Sequence, residues 1–175
     1  MYSYRVQEFE AHVTEAFGSI TYPGDDSIGY DSTGYDPESA EIALDLRGKP
    51  WAELSKFDIL RRKDSLAFLT PEAFMFYLPA YLVNCAKYPF EVDTATTSLR
   101  GSLTPPSSKA LERTSAYFRS RTQSFSQEQC RVIVEYLELA AEIQRDDWAT
   151  LGMESPEMPD IERALAWWRR RAEES

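Results

Sequence analysis

The sequence predicts an all-α protein, folded as a single compact domain of about five to seven helices around one central buried helix. The chain has 175 residues, the usual length of one domain, and no internal repeat of roughly 20 to 50 residues indicates a second unit. Hydrophobic residues make up 43% of it, enough for a core without a disulfide or a metal. Apolar side chains recur mostly every three or four positions, the period of a helix. We therefore treat residues 1–175 as one helical domain.

The first predicted helix covers residues 3–17, with Ser3 as its N-terminal cap and Gly18 just past its end. Its apolar positions have helical spacing and are Val6, Phe9, Val13 and Phe17. A long acidic connection follows at residues 19–37, rich in glycine, aspartate and serine. Connections of this length are usually functional or partly mobile.

A second helix is predicted for residues 37–46, although a strand competes with it. Pro37 suits the first position of a helix. The alternation of Ile42, Leu44 and Leu46, however, has the period of a strand. The helix is the favoured interpretation.

The central helix is predicted to begin after Thr70 and to end before Pro89. Thr70 is a capping residue, and Pro71 suits the first turn. The apolar run at 73–83 has 11 residues, whereas a helix that spans a bilayer needs roughly 20. Because Pro79 has no amide hydrogen, we expect a kink of roughly 20° or more there. With no signal-peptide pattern at the N-terminus, we also expect a cytoplasmic protein.

The remaining residues are predicted to form a second long irregular connection and three helices. The connection lies at 89–107, and the helices lie at 108–121, 127–150 and 160–174. Ser126 and Gln129 have the spacing of a capping box, in which each side chain accepts a hydrogen bond from the other residue's backbone amide. The helix at 127–150 is therefore expected to begin directly after Ser126.

Negative charge is concentrated near the N-terminus. Residues 1–48 contain ten acidic and two basic residues, and the formal net charge of the whole chain is −10. This charge argues against nucleic acid and against an acidic membrane as partners, because both repel carboxylates. It favours encounter with a cation, so we expect the partner to be another protein with a basic surface.

No arrangement of residues predicts catalysis. His12 is the sole histidine, and nucleophile motifs, phosphate-binding loops and zinc motifs are missing. Cys85 and Cys130 are far apart in the sequence and are expected to be buried free thiols. We expect no cofactor and no metal, and we favour a non-enzymatic role.

A row of carboxylates on the helix predicted at 127–150 is the remaining candidate for acid–base chemistry. The row consists of Glu135, Glu138 and Glu142. Arg131 and Arg145 lie on the same side of the helix at ion-pairing distance, so a solvated helix surface is the expected role of the row. The alternative is a carboxylate-dependent hydrolase whose acidic residues meet only in the folded structure.

The connection at 19–37 contains the candidate partner-binding surface. Tyrosines have few rotamers and anchor protein interfaces, whereas carboxylates favour a basic partner. The candidate residues are Tyr22, Asp25, Asp26, Tyr30, Asp31, Tyr35 and Asp36. Three of these aspartates lie five positions apart, whereas an EF-hand places its ligands two apart, so calcium is not expected. The competing interpretation is a charged loop that only keeps the protein soluble.

Several segments resemble a family of small bacterial proteins that is described only as a domain of unknown function. They are Trp51-x-x-Leu54, the sequence FLTPEAF from Phe68, YLPAYL from Tyr77, YPGD from Tyr22 and FSQEQ from Phe125. The resemblance covers most of residues 9–140 and leaves the last helix outside. It implies no assigned activity, and some such proteins resemble immunity or accessory proteins encoded near bacterial toxins.

The negative charge near the N-terminus, the tyrosines of the acidic connection and the family resemblance together predict a non-enzymatic, protein-binding protein. Its most concrete form is an immunity-type inhibitor of a basic bacterial toxin, because negative charge would speed the encounter with such a toxin. A structural subunit of a larger assembly is a further alternative, and it would have a flat apolar patch and self-associate.

Overall fold

The computed structural model describes residues 2–30, 36–92 and 94–174, and these residues contain eight α-helices and no strand. The helices are α1 (Tyr2–Phe17), α2 (Pro37–Leu46), α3 (Lys56–Arg61), α4 (Pro71–Lys87), α5 (Ala95–Leu103), α6 (Glu112–Thr122), α7 (Gln127–Ala149) and α8 (Met158–Glu173). Short 3-10 turns lie at Asp25–Ser27, Trp51–Glu53 and Ser65–Phe68. The predicted all-α class is confirmed.

The irregular connection predicted at 89–107 is wrong, because α5 lies within it. Its buried residues Ala95, Leu99 and Leu103 are four positions apart and form one apolar stripe against the core. The intervening threonines and serine have low helix propensity, which hid the stripe. Burial of the stripe outweighs that propensity, as is usual for helices in proteins.

Three helices begin at other residues than predicted. The helix α1 starts at Tyr2, so Ser3 lies inside it and is not its cap. The helix α6 starts at Glu112, four residues later than expected, and α8 starts at Met158, two residues earlier. Helix ends are the positions that sequence patterns define least well.

The segment at 37–46 is a helix, and the side-chain positions explain why the strand-like alternation misleads. Ile42 and Leu46 are buried together, whereas Leu44 is 64% exposed. In a strand all three would share one side. Asp36 caps the helix, accepting at Oδ1 from the backbone amides of Glu38 at 3.1 Å and Ser39 at 3.4 Å.

The helix α4 is the buried centre of the molecule, as predicted. The Thr70 hydroxyl accepts from the Ala73 amide at 3.2 Å, and the helix continues through Pro79. Two buried phenols tie it to neighbouring loops: Tyr77 donates to the Leu46 carbonyl and Tyr81 to the Arg62 carbonyl, each at 2.7 Å. Burial raises the pKa of both phenols, so they remain donors. The kink at Pro79 stays a prediction.

The helix α7 packs against α1, α4 and α8, and its predicted capping box is confirmed. Its glutamate row does not pair with Arg131 and Arg145 as expected. Instead, Glu142 is ion-paired with Arg5, Glu135 Oε2 lies 2.9 Å from His12 Nδ1, and Glu138 accepts from Arg169 at 2.7 Å. The row therefore connects α7 to α1 and α8, because those two helices pack on either side of it.

No α-helix among the described residues has both the length and the apolar composition that crossing a membrane requires.

Candidate functional site

Tyr22, the first residue of the predicted partner-binding surface, holds its loop against the fold. Its hydroxyl donates to Asp25 Oδ1 at 2.6 Å and accepts from the Gly48 amide at 2.9 Å. Its ring packs edge-on against Phe76, with centroids 5.4 Å apart. Partial burial, and next the hydrogen bond to Asp25, raise the pKa of the phenol. This tyrosine therefore links the loop to the end of α2 and to α4.

Two of the predicted aspartates also serve the local structure. Asp25 lies 3.6 Å from Arg47 Nε, and Asp36 caps α2. Asp26 is exposed, and Tyr30 is half exposed, its ring centroid 6.1 Å from that of Tyr117. The predicted site residues Asp31 and Tyr35 lie outside the described residues.

Other acidic residues of the N-terminal third are engaged by bases from later in the chain. Glu10 on α1 accepts from Lys87 at 2.8 Å, and Asp45 on α2 accepts from the buried Arg62 at 2.7 Å. Such pairs lower the charge available to a partner. The negative surplus is thus divided between intramolecular pairs and carboxylates that face solvent.

Two of the carboxylates that face solvent lie on one side of α2. Glu38 and Glu41 are exposed, and neither forms an ion pair within the part of the chain that the structure describes. Leu44 lies one turn beyond Glu41 on the same side. We call Glu38, Glu41 and Leu44 the α2 face. The sequence analysis missed Leu44, which a consistent helical reading of 37–46 would have placed opposite Ile42 and Leu46.

The two thiols and the histidine lie in surroundings that do not favour catalysis. Cys85 and Cys130 are both free and buried, and burial raises the pKa of the Cys85 thiol to about 12. A thiol in such surroundings is a poor nucleophile. The His12 side chain is half exposed, and its hydrogen bond with Glu135 raises its pKa. No three metal-ligating side chains among the described residues are grouped to hold a metal.

A pocket of about 320 Å³ lies between the end of α4, the start of α5 and α7. Its polar lining includes Arg100, Gln144 and Glu157, and its apolar lining includes Leu139 and Trp148. Sequence reasoning missed it because Arg100 falls in the segment that was expected to be irregular.

A larger open groove of about 730 Å³ lies between the end of α1, the turn at Trp51–Glu53 and α4. Ile20, Phe76 and Val83 give it an apolar lining. Phe57 lines it as well and is 71% exposed. Charged side chains, among them Lys56 and Lys87, line it as well.

Comparisons with curated proteins and with solved structures give no match. A family model does match, and it covers residues 7–172. This span includes α8 as far as Ala172, so the expectation that the last helix lies outside the resemblance is wrong. Because the match covers nearly the whole chain, the protein belongs to the family of unknown function DUF6714.

Proposed function

We propose that the protein binds a basic protein without enzymatic activity, as an immunity-type inhibitor of a basic bacterial toxin. The α2 face, together with Asp26 and Tyr30, forms the contact surface. The observation that carries this proposal is Leu44, which is 64% exposed beside the solvent-facing carboxylate of Glu41. An exposed apolar side chain beside solvent-facing carboxylates suits a partner with a basic surface and an apolar pocket.

The two residue types of the α2 face have different roles in this complex. Glu38 and Glu41 raise the association rate by attracting the basic partner over several ångströms. Leu44 slows dissociation, because its contact removes apolar surface from water, worth about 25 cal/mol per Å². Binding is therefore sensitive to salt in its association rate and much less so in its dissociation rate.

The predicted loop residues divide between contact and support. Asp26 and Tyr30 are exposed and join the contact surface. Tyr22, Asp25 and Asp36 support it, since they hold the loop and the start of α2. Asp31 and Tyr35 remain predicted contacts of the same loop.

The test is a charge reversal that spares these supporting residues. A variant with Asp26→Lys, Glu38→Lys and Glu41→Lys is compared with a control that has the same change in charge elsewhere. The control carries Asp146→Lys, Glu154→Lys and Glu162→Lys, at three exposed positions on α7, on α8 and between them. Each protein is immobilised and used to capture partners from the native host.

We expect the wild type and the control to capture the same basic protein, and the α2 variant to lose it. With the captured protein purified, its association rate with the α2 variant should fall on the order of tenfold at low salt. The melting temperature of the α2 variant should fall only slightly, because Glu38→Lys removes a favourable charge from the first turn of α2. An unchanged association rate for the α2 variant would refute the proposal.

The hydrolase alternative gains no specific support from the pocket beside α5. Its two carboxylates are Asp147 and Glu157. Glu157 is ion-paired with Arg100, and Asp147 is exposed. An acid–base pair requires two carboxylates that converge on one bond, and Glu157 is directed to Arg100 instead.

A further inference from the structure

We propose that the pocket between α4, α5 and α7 binds a small organic anion. The anionic group, a carboxylate or a phosphate, contacts Arg100 and the N-terminus of α5. The apolar part of the ligand lies against Leu139, Ile143 and Trp148 of α7. This site is separate from the proposed protein-binding surface, because no residue of α2 lines the pocket.

The first observation in favour of an anion site is the environment of the Arg100 side chain. The residue is only 8% exposed, and its Nη2 atom donates to Thr97 Oγ1 at 3.2 Å and to the Glu157 carboxylate. Within residues 2–30, 36–92 and 94–174, neither Nε nor Nη1 donates to a protein atom, and neither is fully enclosed. A largely buried guanidinium is costly unless its donors are satisfied. Arg100 lines the pocket, so its spare donors are available to a ligand there.

The second observation in favour of an anion site is the position of the N-terminus of α5 beside the pocket. Thr94, Thr96 and Thr97 come from its cap and first turn, and all three line the pocket. The Thr94 side chain makes no capping hydrogen bond. A helix N-terminus carries partial positive charge and favours an anion. Because Arg100 lies about one turn further along the same helix, both sources of positive potential act on one space.

The wall that α7 contributes to the pocket determines the apolar part of the ligand. Leu139, Ile143 and Trp148 lie on α7, and the volume of about 320 Å³ accommodates a group of the size of a phenyl ring. Cys85 of α4 lines the pocket as well, but burial raises the pKa of its thiol to about 12 and keeps it protonated. The pocket is therefore suited to binding and not to covalent chemistry.

Glu157 regulates the affinity of this site. In the absence of a ligand its carboxylate already occupies one edge of the Arg100 guanidinium. An incoming anion must share that guanidinium with Glu157 and meets repulsion from it and from Asp147. Removing the charge of Glu157 should thus strengthen binding, an effect that a purely structural ion pair would not produce.

Titration calorimetry of the full chain tests the proposal with three probes: phenylacetate, the neutral analogue phenylacetamide, and inorganic phosphate. The Trp148 indole resonance, assigned with Trp148→Phe, reports where each probe binds. We expect phenylacetate to bind at least about tenfold more tightly than phenylacetamide, since only the anion pairs with Arg100. Equal affinities would overturn the proposal, and phosphate binding more tightly than phenylacetate would overturn the organic nature of the ligand.

Variants then test the assigned residues. Arg100→Lys should weaken phenylacetate binding about tenfold, because an ammonium lacks the planar fork. Glu157→Gln should strengthen it at least about threefold. The matched control Arg145→Lys, an exposed residue of α7 outside the pocket, should change nothing. If Arg100→Lys does not fold, Glu157→Gln decides alone, and an unchanged or weaker affinity in that variant refutes the site.

Discussion

His12 is the residue through which pH acts on the contact between α1 and α7. Its hydrogen bond with Glu135 holds the imidazole pKa above its ordinary value in the folded protein. The resulting stabilisation is fully present below the pKa of the unfolded chain, about 6.5, and is lost as pH rises through the raised folded-state pKa. Since the side chain is 53% exposed, solvent limits the effect to a few tenths of a kcal/mol, as for surface pairs generally.

Urea unfolding at about pH 5.5 and pH 8.5 measures this contribution. The wild type should lose slightly more stability than His12→Gln between the two conditions, because only the wild type has the titrating imidazole. Identical pH dependence in the two proteins would contradict the assignment.

Arg121 is a buried cation that no described carboxylate neutralises. It is 4% exposed, donates to the Leu66 carbonyl at 2.6 Å and to the Tyr117 hydroxyl at 2.7 Å, and stacks 3.7 Å from the centroid of the Phe74 ring. Burial lowers its pKa, and the nearby phenol partly offsets this. Only a planar guanidinium serves all three neighbours together.

Arg121→Lys should therefore lower the free energy of unfolding by about 2 kcal/mol, since a lysine leaves one buried acceptor unsatisfied. Arg113→Lys, on the exposed side of the same helix, should stay within about 0.5 kcal/mol of the wild type. A loss as small as that of the control would show that the stacked guanidinium contributes little. Urea melts of the three proteins give the comparison.

At the scale of the element, the start of α7 combines a local cap with a long-range contact. Ser126 Oγ accepts from the Gln129 amide at 3.2 Å, and Gln129 Oε1 accepts from the Ser126 amide at 3.0 Å. The Gln129 Nε2 atom also donates to the Ala16 carbonyl at 3.1 Å. One glutamine therefore closes the capping box and joins α7 to the end of α1.

Ser126→Ala should cost about 1 kcal/mol of stability, the usual value of a lost cap. Gln129→Ala should cost more, about 2 kcal/mol, because it also leaves the Ala16 carbonyl without its donor. Ser124→Ala, two residues before the cap and exposed, provides the control in the same denaturation series. Equal losses for Ser126→Ala and Gln129→Ala would mean that the contact to α1 adds nothing.

Elements with a local signature were predictable, and elements that depend on burial were not. The Ser126 and Gln129 spacing and the Thr70-Pro71 pair are local signals, and both were interpreted correctly. The helix α5 has no such signal, since Thr94 makes no capping bond and threonines follow it. The position of Ala95, Leu99 and Leu103 against the core stabilises it, and that position depends on the whole fold.

At the scale of the molecule, the partners of charged residues were the least predictable feature. The sequence places Glu135 and Glu142 near Arg131 and Arg145 on one helix, and the fold pairs them with His12 and Arg5 instead. These pairs join residues more than a hundred positions apart. Ion pairing at that separation follows from which helices pack together, and the periodicity of a single sequence does not reveal that packing.

The candidate surface was predictable only in part, because long-range ion pairs decide which of its carboxylates face solvent. The surplus of acidic residues before Gly48 indicated which third of the chain is richest in carboxylates. It could not separate Asp45, which pairs with Arg62, from Glu41, which faces solvent. That distinction depends on where α3 ends relative to α2.

The burial of Cys85 and Cys130 has a practical consequence for measurements on this protein. Both thiols are inaccessible to a bulky electrophile while the protein is folded. A cysteine introduced at an exposed position, for example Glu154→Cys, would then react alone with a maleimide dye. Fluorescent reporters can be attached to the native sequence background in this way, without first replacing either natural cysteine.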